Sequence, residues 1–402
     1  MKTGIGKLSL ILLLVMAACF QQAVSAADKA RVMVFPFERG PAAGAISWLK
    51  EGLAVEVCRQ LQLPQVETID YEKRIEMVLA SDLPPDASLS RASMIRVAQQ
   101  AVADFLVMGS YSENYQSLKV VANVLDLKTL KLSADIVATG PLSAMPQMEN
   151  ELAWSILYAI GEMRDLSRET FRSRTRKVSN DAFALFIRSL TENDEVEAIK
   201  LLEQAVDQGK DFAEAQLRLG RYYFQQGDCA KAIPQLMAGH DDHGDYLQEE
   251  FMLATCYLET ERLAEAIQTY EHLNSLSPGI ESLNNQGVAY TRKGDYPSAD
   301  ENFIQARKLA RTDPTINLNL SVLRHLQGDD SAARDILTEA TKSYPNSGMI
   351  QFVFGVVLKA LGDKEQADAA LAKANNLGIQ VDKLRSENPG SWTRIMPRGE
   401  YP

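Results

Sequence analysis

Two helical patterns of apolar and polar positions alternate through the second half of the chain, and a short break separates them each time. The stretch GVAYTRKGDYPSA at 287–299 shows the arrangement: a small residue, an aromatic residue, a Gly-Asp break and an alanine. The arrangement recurs with a period of 33 or 34 residues. A fixed period in this range predicts a stack of helical repeats.

Each unit is predicted to be a helical hairpin, because Gly supplies the positive φ that ends one helix and Asp caps the next. Small residues let the two helices approach closely. In the first helix they are Gly220, Ala254, Gly287, Ser321 and Gly355. In the second helix they are Ala198, Ala232, Ala266, Ala299, Ala333 and Ala367. Prolines at 278, 314 and 345 follow the second helices as stop signals.

This pattern resembles the tetratricopeptide repeat family over residues 179–378, in six units. The first unit departs most, with Phe186 for the small residue and Asn193-Asp194 for the break. The resemblance implies an all-α right-handed solenoid whose first helices line a concave face. Such stacks bury their core between neighbours and act mostly as binding surfaces.

One position of each first helix predicts an apolar stripe along the concave face. Its members are Phe183, Leu217, Phe251, Asn284, Leu318 and Phe352, and the next position contributes Arg218, Asn285 and Asn319. Stacked asparagines resemble the rungs by which some members of the family hold an extended peptide backbone, since a carboxamide donates and accepts at once. In chaperone-binding relatives of this family, a set of lysines and asparagines clamps the terminal carboxylate of a bound peptide. This sequence does not reproduce that set.

We therefore predict that these residues bind a protein or peptide partner, with the rings of Phe251 and Phe352 as anchors. The alternative, weighed evenly, is that the stripe is ordinary helix packing.

The first half of the chain mixes strand and helix patterns, which predicts an α/β or α+β layered domain. Predicted strands lie at 30–38, Val66–Ile69, Phe105–Ser110, Leu118–Asp126 and Ser133–Val137. Predicted helices lie at 45–62, Tyr71–Leu79, Ala92–Val102 and Met148–Ile160. The glycine loop GPAAG after the first strand is not followed by Gly-Lys-Ser/Thr, so we interpret it as a connection and not as a nucleotide site.

The runs VFPFE, SWLKEGLAVEVCRQL and ADFLVMGSYS resemble the N-terminal domain of TolB-type and FlgO-type envelope proteins, over about 28–162. That resemblance implies a domain at 27–162 that serves in assembly and protein contact. Residues 163–178 follow as a basic linker helix containing RDLSRETFRSRTRK. The linker is interpreted as solvated, the alternative being a site for anionic lipid or an acidic partner.

The N-terminus has the features of a secretory signal peptide at 1–26, with two lysines, an apolar core and Val24-Ser25-Ala26 as a cleavage site. It predicts export to a bacterial periplasm or to the periplasmic face of an outer membrane. Met16-Ala17-Ala18-Cys19 leaves a second possibility, lipidation of Cys19. No later segment is apolar for long enough to span a membrane.

The net charge of −11 becomes −13 when residues 1–26 and their two lysines are removed. Such an acidic chain is a poor binder of nucleic acid. Three cysteines then remain, Cys58, Cys229 and Cys256. An odd number cannot all pair, and single buried cysteines are favoured over a Cys229–Cys256 bridge.

Catalytic signatures are missing from the sequence: there is no Gly-x-Ser-x-Gly, no HExxH and no Cys-x-x-Cys. The stretch GHDDHGD at 239–245 has metal-ligand chemistry but falls in a turn between repeats, where polar residues are expected. No enzyme, cofactor or metal is therefore predicted.

The predicted function is that of an exported non-enzymatic adaptor or scaffold. The alternative is an outer-membrane lipoprotein that serves as an assembly or structural factor and oligomerises through its α/β domain. A C-terminal extension at 379–402 carries unusual apolar bulk around Trp392, and we expect it to lie against the last repeat.

Overall fold

The computed structural model describes residues 29–40, 46–85, 87–114, 117–162, 166–239 and 247–396. The predicted signal peptide, Cys19 and the histidines of GHDDHGD lie outside these residues. The chain forms two compact units, Met1–Lys210 and Asp211–Pro402.

The first unit contains a mixed β-sheet. Its strands are β1 (Ala30–Val34), β2 (Glu38–Arg39), β3 (Val66–Ile69), β4 (Phe105–Asn114), β5 (Ser117–Asp126) and β6 (Ile136–Gly140). They lie in the order β3-β1-β4-β5-β6, and β2 pairs with β4. The pairs among β3, β1 and β4 are parallel, whereas β4–β5 and β5–β6 are antiparallel.

Helices cover both faces of this sheet. They are α1 (Leu49–Leu61), α2 (Tyr71–Leu79), α3 (Arg91–Gln100) and α4 (Met145–Ile160). Met33 packs in one apolar cluster with Val78 and Val97, from α2 and α3. Its neighbours Val32 and Val34 are also buried and, by the alternation of a strand, point to the opposite face. The layered α/β prediction is confirmed.

The last strand begins three residues later than predicted. The carboxylate of Asp126 accepts from the N–H groups of Lys128 and Thr129 and so forms a turn directly after β5. The hydroxyl of Ser133 accepts from the N–H of Val124, and the regular ladder begins only at Ile136 opposite Ala122. Local side-chain bonds of this kind compete with strand pairing.

The basic segment 163–178 is not a solvated linker helix, so that interpretation is wrong. Among its described residues, 166–178, only α5 (Arg168–Arg172) is helical, and Phe171 is fully buried with its ring 5.4 Å from that of Trp154. The guanidinium of Arg176 is buried and donates to the carboxylate of Glu149 and the carbonyl of Val178. The many charged residues around Phe171 and Arg176 favoured a solvated helix, so the burial of these two side chains was not predicted.

Six helix pairs follow. They are α6/α7 (Asn180–Thr191, Glu195–Gln208), α8/α9 (Ala213–Gln225, Cys229–Gly239), α10/α11 (Leu247–Glu259, Leu263–Leu276), α12/α13 (Ile280–Lys293, Tyr296–Leu309), α14/α15 (Pro314–Leu326, Asp330–Ser343) and α16/α17 (Gly348–Ala360, Lys364–Asn376). The pair α6/α7 belongs to the first compact unit and the other five to the second.

The breaks inside the pairs have the predicted chemistry. Gly294 ends α12 with φ +87°, and the carboxylate of Asp295 accepts from the N–H of Ser298 to cap α13. The same pair of roles recurs at Gly328-Asp329 and Gly362-Asp363. All six alanines of the second-helix series are buried.

Cys229 and Cys256 form a disulfide, so the interpretation of both as single buried thiols is wrong. Cys229 begins α9 and Cys256 lies near the end of α10 in the next pair. The neighbouring helices bring their Cα atoms to 5.0 Å, within the range that a disulfide spans. Cys58 is buried as a free thiol, and burial raises its pKa to about 11.

None of the helices in the described part of the chain combines the length and the apolar character of a membrane span.

We predict that Gly287→Ala lowers the free energy of unfolding by about 1–3 kcal/mol, because overpacking outweighs the better helix propensity of Ala. A Cβ at Gly287 would lie 2.6 Å from the buried ring of Phe303. Urea unfolding followed by circular dichroism measures the change. Ser321→Ala at the equivalent position is the control, since Ser321 already carries a Cβ there. An unchanged midpoint in Gly287→Ala would contradict the packing.

We predict that Glu149→Gln removes a pH dependence of stability in the first unit. Burial and the nearby Glu56 carboxylate raise the pKa of Glu149 well above its usual range, although Arg176 opposes them. Folding therefore binds a proton, and the free energy of unfolding falls as pH rises from the unfolded pKa to the folded one, by about 1.4 kcal/mol per pH unit.

Urea unfolding of a Trp392→Phe background, followed by tryptophan fluorescence, tests this from pH 5 to pH 8, because Trp48 and Trp154, both in the first unit, are then the remaining tryptophans. Glu151→Gln, a change at a half-exposed residue of the same helix that pairs with Arg168, should retain the slope. If the free energy of unfolding of Glu149→Gln fell with pH as steeply as that of the parent protein, Glu149 would not be the group that causes the pH dependence.

Candidate functional site

Three buried asparagines lie on the first helices of two adjacent pairs. Asn284 and Asn285 are on α12, Asn319 is on α14, and each is 0% exposed. Asn285 and Asn319 are 34 positions apart, one repeat period, so their carboxamides occupy equivalent places. We call these three residues the asparagine groove.

The groove is covered by the C-terminal end of the described chain. After α17 the chain turns at Gly378 (φ +89°), forms α18 (Val381–Arg385) and a 3-10 turn at Pro389–Trp392, and returns toward earlier repeats. The side chain of Asn388 starts this turn by accepting from the N–H of Gly390 at 2.9 Å. Thr393 is extended, with φ −62° and ψ 146°. We call residues 392–396 the C-terminal segment.

Asn319 and Asn285 each bind the backbone of one residue of the C-terminal segment, and each carboxamide both accepts a hydrogen bond from that residue's N–H and donates one to its carbonyl. The N–H of Arg394 donates to Oδ1 of Asn319 at 2.7 Å, and Nδ2 of Asn319 donates to the Arg394 carbonyl at 2.8 Å. The N–H of Met396 donates to Oδ1 of Asn285 at 2.7 Å, and Nδ2 of Asn285 donates to the Met396 carbonyl at 3.2 Å. Alternate residues of one extended strand are thus bound by side chains one repeat apart.

Asn284 links the two rungs. Its Nδ2 donates to the Arg394 carbonyl at 3.2 Å and to Oδ1 of Asn285 at 3.1 Å, and its Oδ1 accepts from Asn319 at 2.9 Å. On the other side, Nδ2 of Asn285 donates to the Tyr270 hydroxyl at 3.3 Å, which pairs with the hydroxyl of Thr255. A connected network of this kind fixes the orientation of each amide.

Apolar contacts hold both ends of the C-terminal segment. The Trp392 ring is 3% exposed, lies edge-on to Phe352 at 5.1 Å and stacks on His325 at 6.1 Å. Its indole N–H donates to the carbonyl of Leu384 at 3.0 Å. At the other end, Met396 packs in a cluster that includes Leu283 and Ile316.

The rungs themselves are neutral carboxamides, and the segment brings a cation of its own, Arg394. The Arg394 guanidinium is half-buried, and burial lowers its pKa from the ordinary value. It donates to the carbonyl of Ser391 and to the sulfur of Met349. Recognition at the rungs therefore acts on the peptide backbone.

The structure brings five of the nine predicted binding residues to this site. Asn284, Asn285 and Asn319 bind the segment, while Phe352 and Leu318 belong to the apolar cluster that receives Trp392. The predicted rungs thus meet an extended backbone, and that backbone is the chain's own.

The other four predicted residues lie elsewhere. In the second unit, Phe251 is buried against the ring of Tyr270 at 6.0 Å, Leu217 packs at Gly239, and Arg218 lies 5.9 Å from the ring of Tyr222. In the first unit, Phe183 packs edge-on to Trp48 on α1 and lies under the Arg176 guanidinium.

Sequence reasoning missed the roles of Trp392, His325 and Met396. The apolar bulk of the tail predicted contact with the last repeat, and this is confirmed, because Trp392 packs against Phe352 on α16 of that repeat. The continuation of the segment across two earlier repeats was not predicted. Asn284 was assigned to the stripe and not to the rungs. Within the described residues, no group of three or more His, Cys, Asp or Glu side chains is arranged to hold a metal ion.

Comparisons with known proteins concern the repeats. A tetratricopeptide repeat model matches residues 197–244 and 284–348, and a second such model matches 251–279. No curated protein matches the chain.

Several solved structures resemble part of the chain. MamA MSR-1 is 18% identical over 43% of this chain and 98% of its own, with a TM-score of 0.37. MamA 41-end from Desulfovibrio magneticus RS-1 is 15% identical over 41% and 96%, with a TM-score of 0.37. YrrB, a TPR protein with an unusual peptide-binding site, is 15% identical over 46% and 94%, also at 0.37. The family models alone show that the chain carries tetratricopeptide repeats, at residues 197–244, 251–279 and 284–348.

Proposed function

We propose that this chain is a non-enzymatic scaffold that binds an extended segment of a partner protein in the asparagine groove. The observation that carries the proposal is the two-way hydrogen bonding of Asn285 and Asn319 to backbone N–H and C=O groups. A side chain that pairs with backbone at both atoms recognises a strand-like peptide whatever its side chains are. Repeat arrays with such surfaces typically bind other proteins.

The binding residues in this proposal are Asn284, Asn285 and Asn319, with Phe352 and Leu318 at the aromatic end. Phe183, Leu217 and Phe251 are buried among the chain's own side chains, and we give them a packing role. Peptide-binding sites commonly combine an aromatic pocket with backbone-binding groups. The pocket supplies selectivity for a side chain, and the hydrogen bonds set the register of the peptide.

We further propose that the chain is exported and works in the bacterial cell envelope, with the first unit as a TolB-like domain that docks to an envelope component. Two observations support export. Residues 1–26 have the pattern of a secretory signal, and Cys229 and Cys256 form a bridge of the kind that persists in oxidising compartments. Cleavage before Ala27 and lipidation of Cys19 are the two forms of the mature chain that this proposal allows.

We predict that the asparagines are required for binding of foreign peptides. The probe protein is a released-tail variant, the full chain with Trp392→Ala and Arg394→Pro. Proline removes the N–H that Asn319 accepts, and the extended Thr393 is compatible with a following proline. Random 12-residue peptides displayed on phage are selected on this variant, and the affinity of each is measured by isothermal titration.

Adding Asn285→Ala and Asn319→Ala to the released-tail variant should weaken its affinity for the selected peptides at least about tenfold. Each rung then loses two hydrogen bonds worth about 1 kcal/mol apiece. Asn302→Ala is the matched control, because Asn302 lies on a second helix and donates to the carbonyl of Ser298. If no peptide is selected, or if the selected peptides are insensitive to the asparagines, the proposed function is wrong.

We predict that the chain purified from its native envelope carries the bridge and lacks residues 1–26 or 1–18. Intact mass before and after reduction and alkylation distinguishes a start at Ala27 from a lipidated Cys19 and counts the paired cysteines. A full-length chain that begins at Met1 with three or more free thiols would contradict export.

A further inference from the structure

We propose that the C-terminal segment is a displaceable resident ligand and that it shows which partner segments the groove takes. The external ligand is an extended stretch of protein with an aromatic residue four positions before an apolar residue, as Trp392 precedes Met396. This inference rests on the proposed function and adds to it the class of ligand and an internal competitor.

The spacing of the ligand follows from which residues are held. Asn319 and Asn285 bind the backbone of Arg394 and Met396, two positions apart. In an extended strand alternate N–H groups point to opposite sides, so Ile395 presents its backbone away from the rungs. The hydroxyl of Thr393 donates to the carbonyl of Gly390 within the same turn. The rungs therefore set a two-residue register, and their hydrogen bonds by themselves place no requirement on the side chains of the held residues.

Selectivity comes from the two ends of the segment. The pocket for Trp392 has the Phe352 ring as one wall and the His325 ring as another, and the indole N–H has an acceptor in Leu384. That geometry fits a flat ring with a donor at its edge. Met396 is 7% exposed among Leu283 and Ile316, which fits an apolar side chain. A ligand that fills both ends must place them four residues apart.

The attachment of the segment makes its release compatible with an intact repeat stack. The chain between α17 and the segment passes through α18, in which no residue is fully buried, although Val381 and Leu384 pack in part against the cluster around Phe352. The rungs hold the segment by neutral hydrogen bonds, and its two ends by apolar packing. A partner segment that makes the same contacts can replace it without rearranging the helices that form the groove.

Because the C-terminal segment competes from within the same molecule, a higher concentration of external peptide is needed to fill the asparagine groove. A short tether holds its ligand at an effective concentration on the order of millimolar. The resident segment thus reduces the apparent affinity of every external peptide. Weakening the segment, with the groove left intact, should make the groove available.

The test uses a synthetic fluorescein-labelled peptide of residues 388–396, NPGSWTRIM, and fluorescence anisotropy. We expect the released-tail variant to bind it at least about tenfold more tightly than the wild-type chain does. Unlabelled peptide should compete with the phage-selected peptides for the same site. If the variant lost its helical circular dichroism signal, the single change Trp392→Ala would be used instead.

Backbone N-methylation of the peptide tests the register. A methyl group on the nitrogen of Arg394 or Met396 removes a donor to an asparagine and should weaken binding at least about tenfold, whereas methylation of Ile395 should change it less than about threefold. Replacing the tryptophan of the peptide by alanine should weaken binding by a similar tenfold or more.

Equal binding of the peptide to wild type and variant would overturn the competitor role, and equal effects of the three methyl groups would overturn the register. If phage-selected peptides bind through the asparagines while NPGSWTRIM does not bind, this inference fails and the proposed function stands. If neither binds, both fail.

Discussion

A carboxamide that is buried from water must satisfy both an acceptor oxygen and a donor nitrogen, and this requirement organises the second unit of the protein. Asn284, Asn285 and Asn319 are buried completely, and their partners are one another, Tyr270 and the backbone of two residues from the chain's own end. An unmade hydrogen bond at such a group costs about 1–3 kcal/mol. The groove is therefore stable when a strand lies in it, or when water enters it.

The repeat geometry explains why a strand fits. The close approach of helices within a pair, seen where Gly287 leaves no room for a Cβ beside Phe303, sets the position of each first helix relative to the next. Equivalent positions on α12 and α14 then carry asparagines at a spacing that two residues of extended chain can span. Trp392 completes the arrangement by filling the apolar space beside Phe352 on α16.

Much of this could be predicted from the sequence, because the controlling residues act locally. Gly-Asp breaks, buried alanines and small first-helix residues indicated the hairpins, and asparagines one period apart indicated rungs for a backbone. The α/β layers followed from strand and helix periodicity. The burial of Phe171 and Arg176 could not be predicted, because the surrounding charges resemble those of a solvated helix. The Cys229–Cys256 bridge depends on how neighbouring pairs stack. The occupant of the groove depends on a contact between residues about 75 to 111 positions apart, which no local pattern encodes.

Amide hydrogen exchange of residues 394 to 396, measured by NMR on the wild-type protein, shows whether the C-terminal segment occupies the asparagine groove. Asn319 and Asn285 accept from the N–H groups of Arg394 and Met396, and by the alternation of an extended strand we expect the N–H of Ile395 to point away from them. We expect residues 394 and 396 to exchange at least about a hundredfold more slowly than residue 395, and we expect Asn285→Ala with Asn319→Ala to abolish the difference. Exchange of all three amides at the rate of an unstructured peptide in the wild-type protein would contradict the claim that the chain's own end fills the groove.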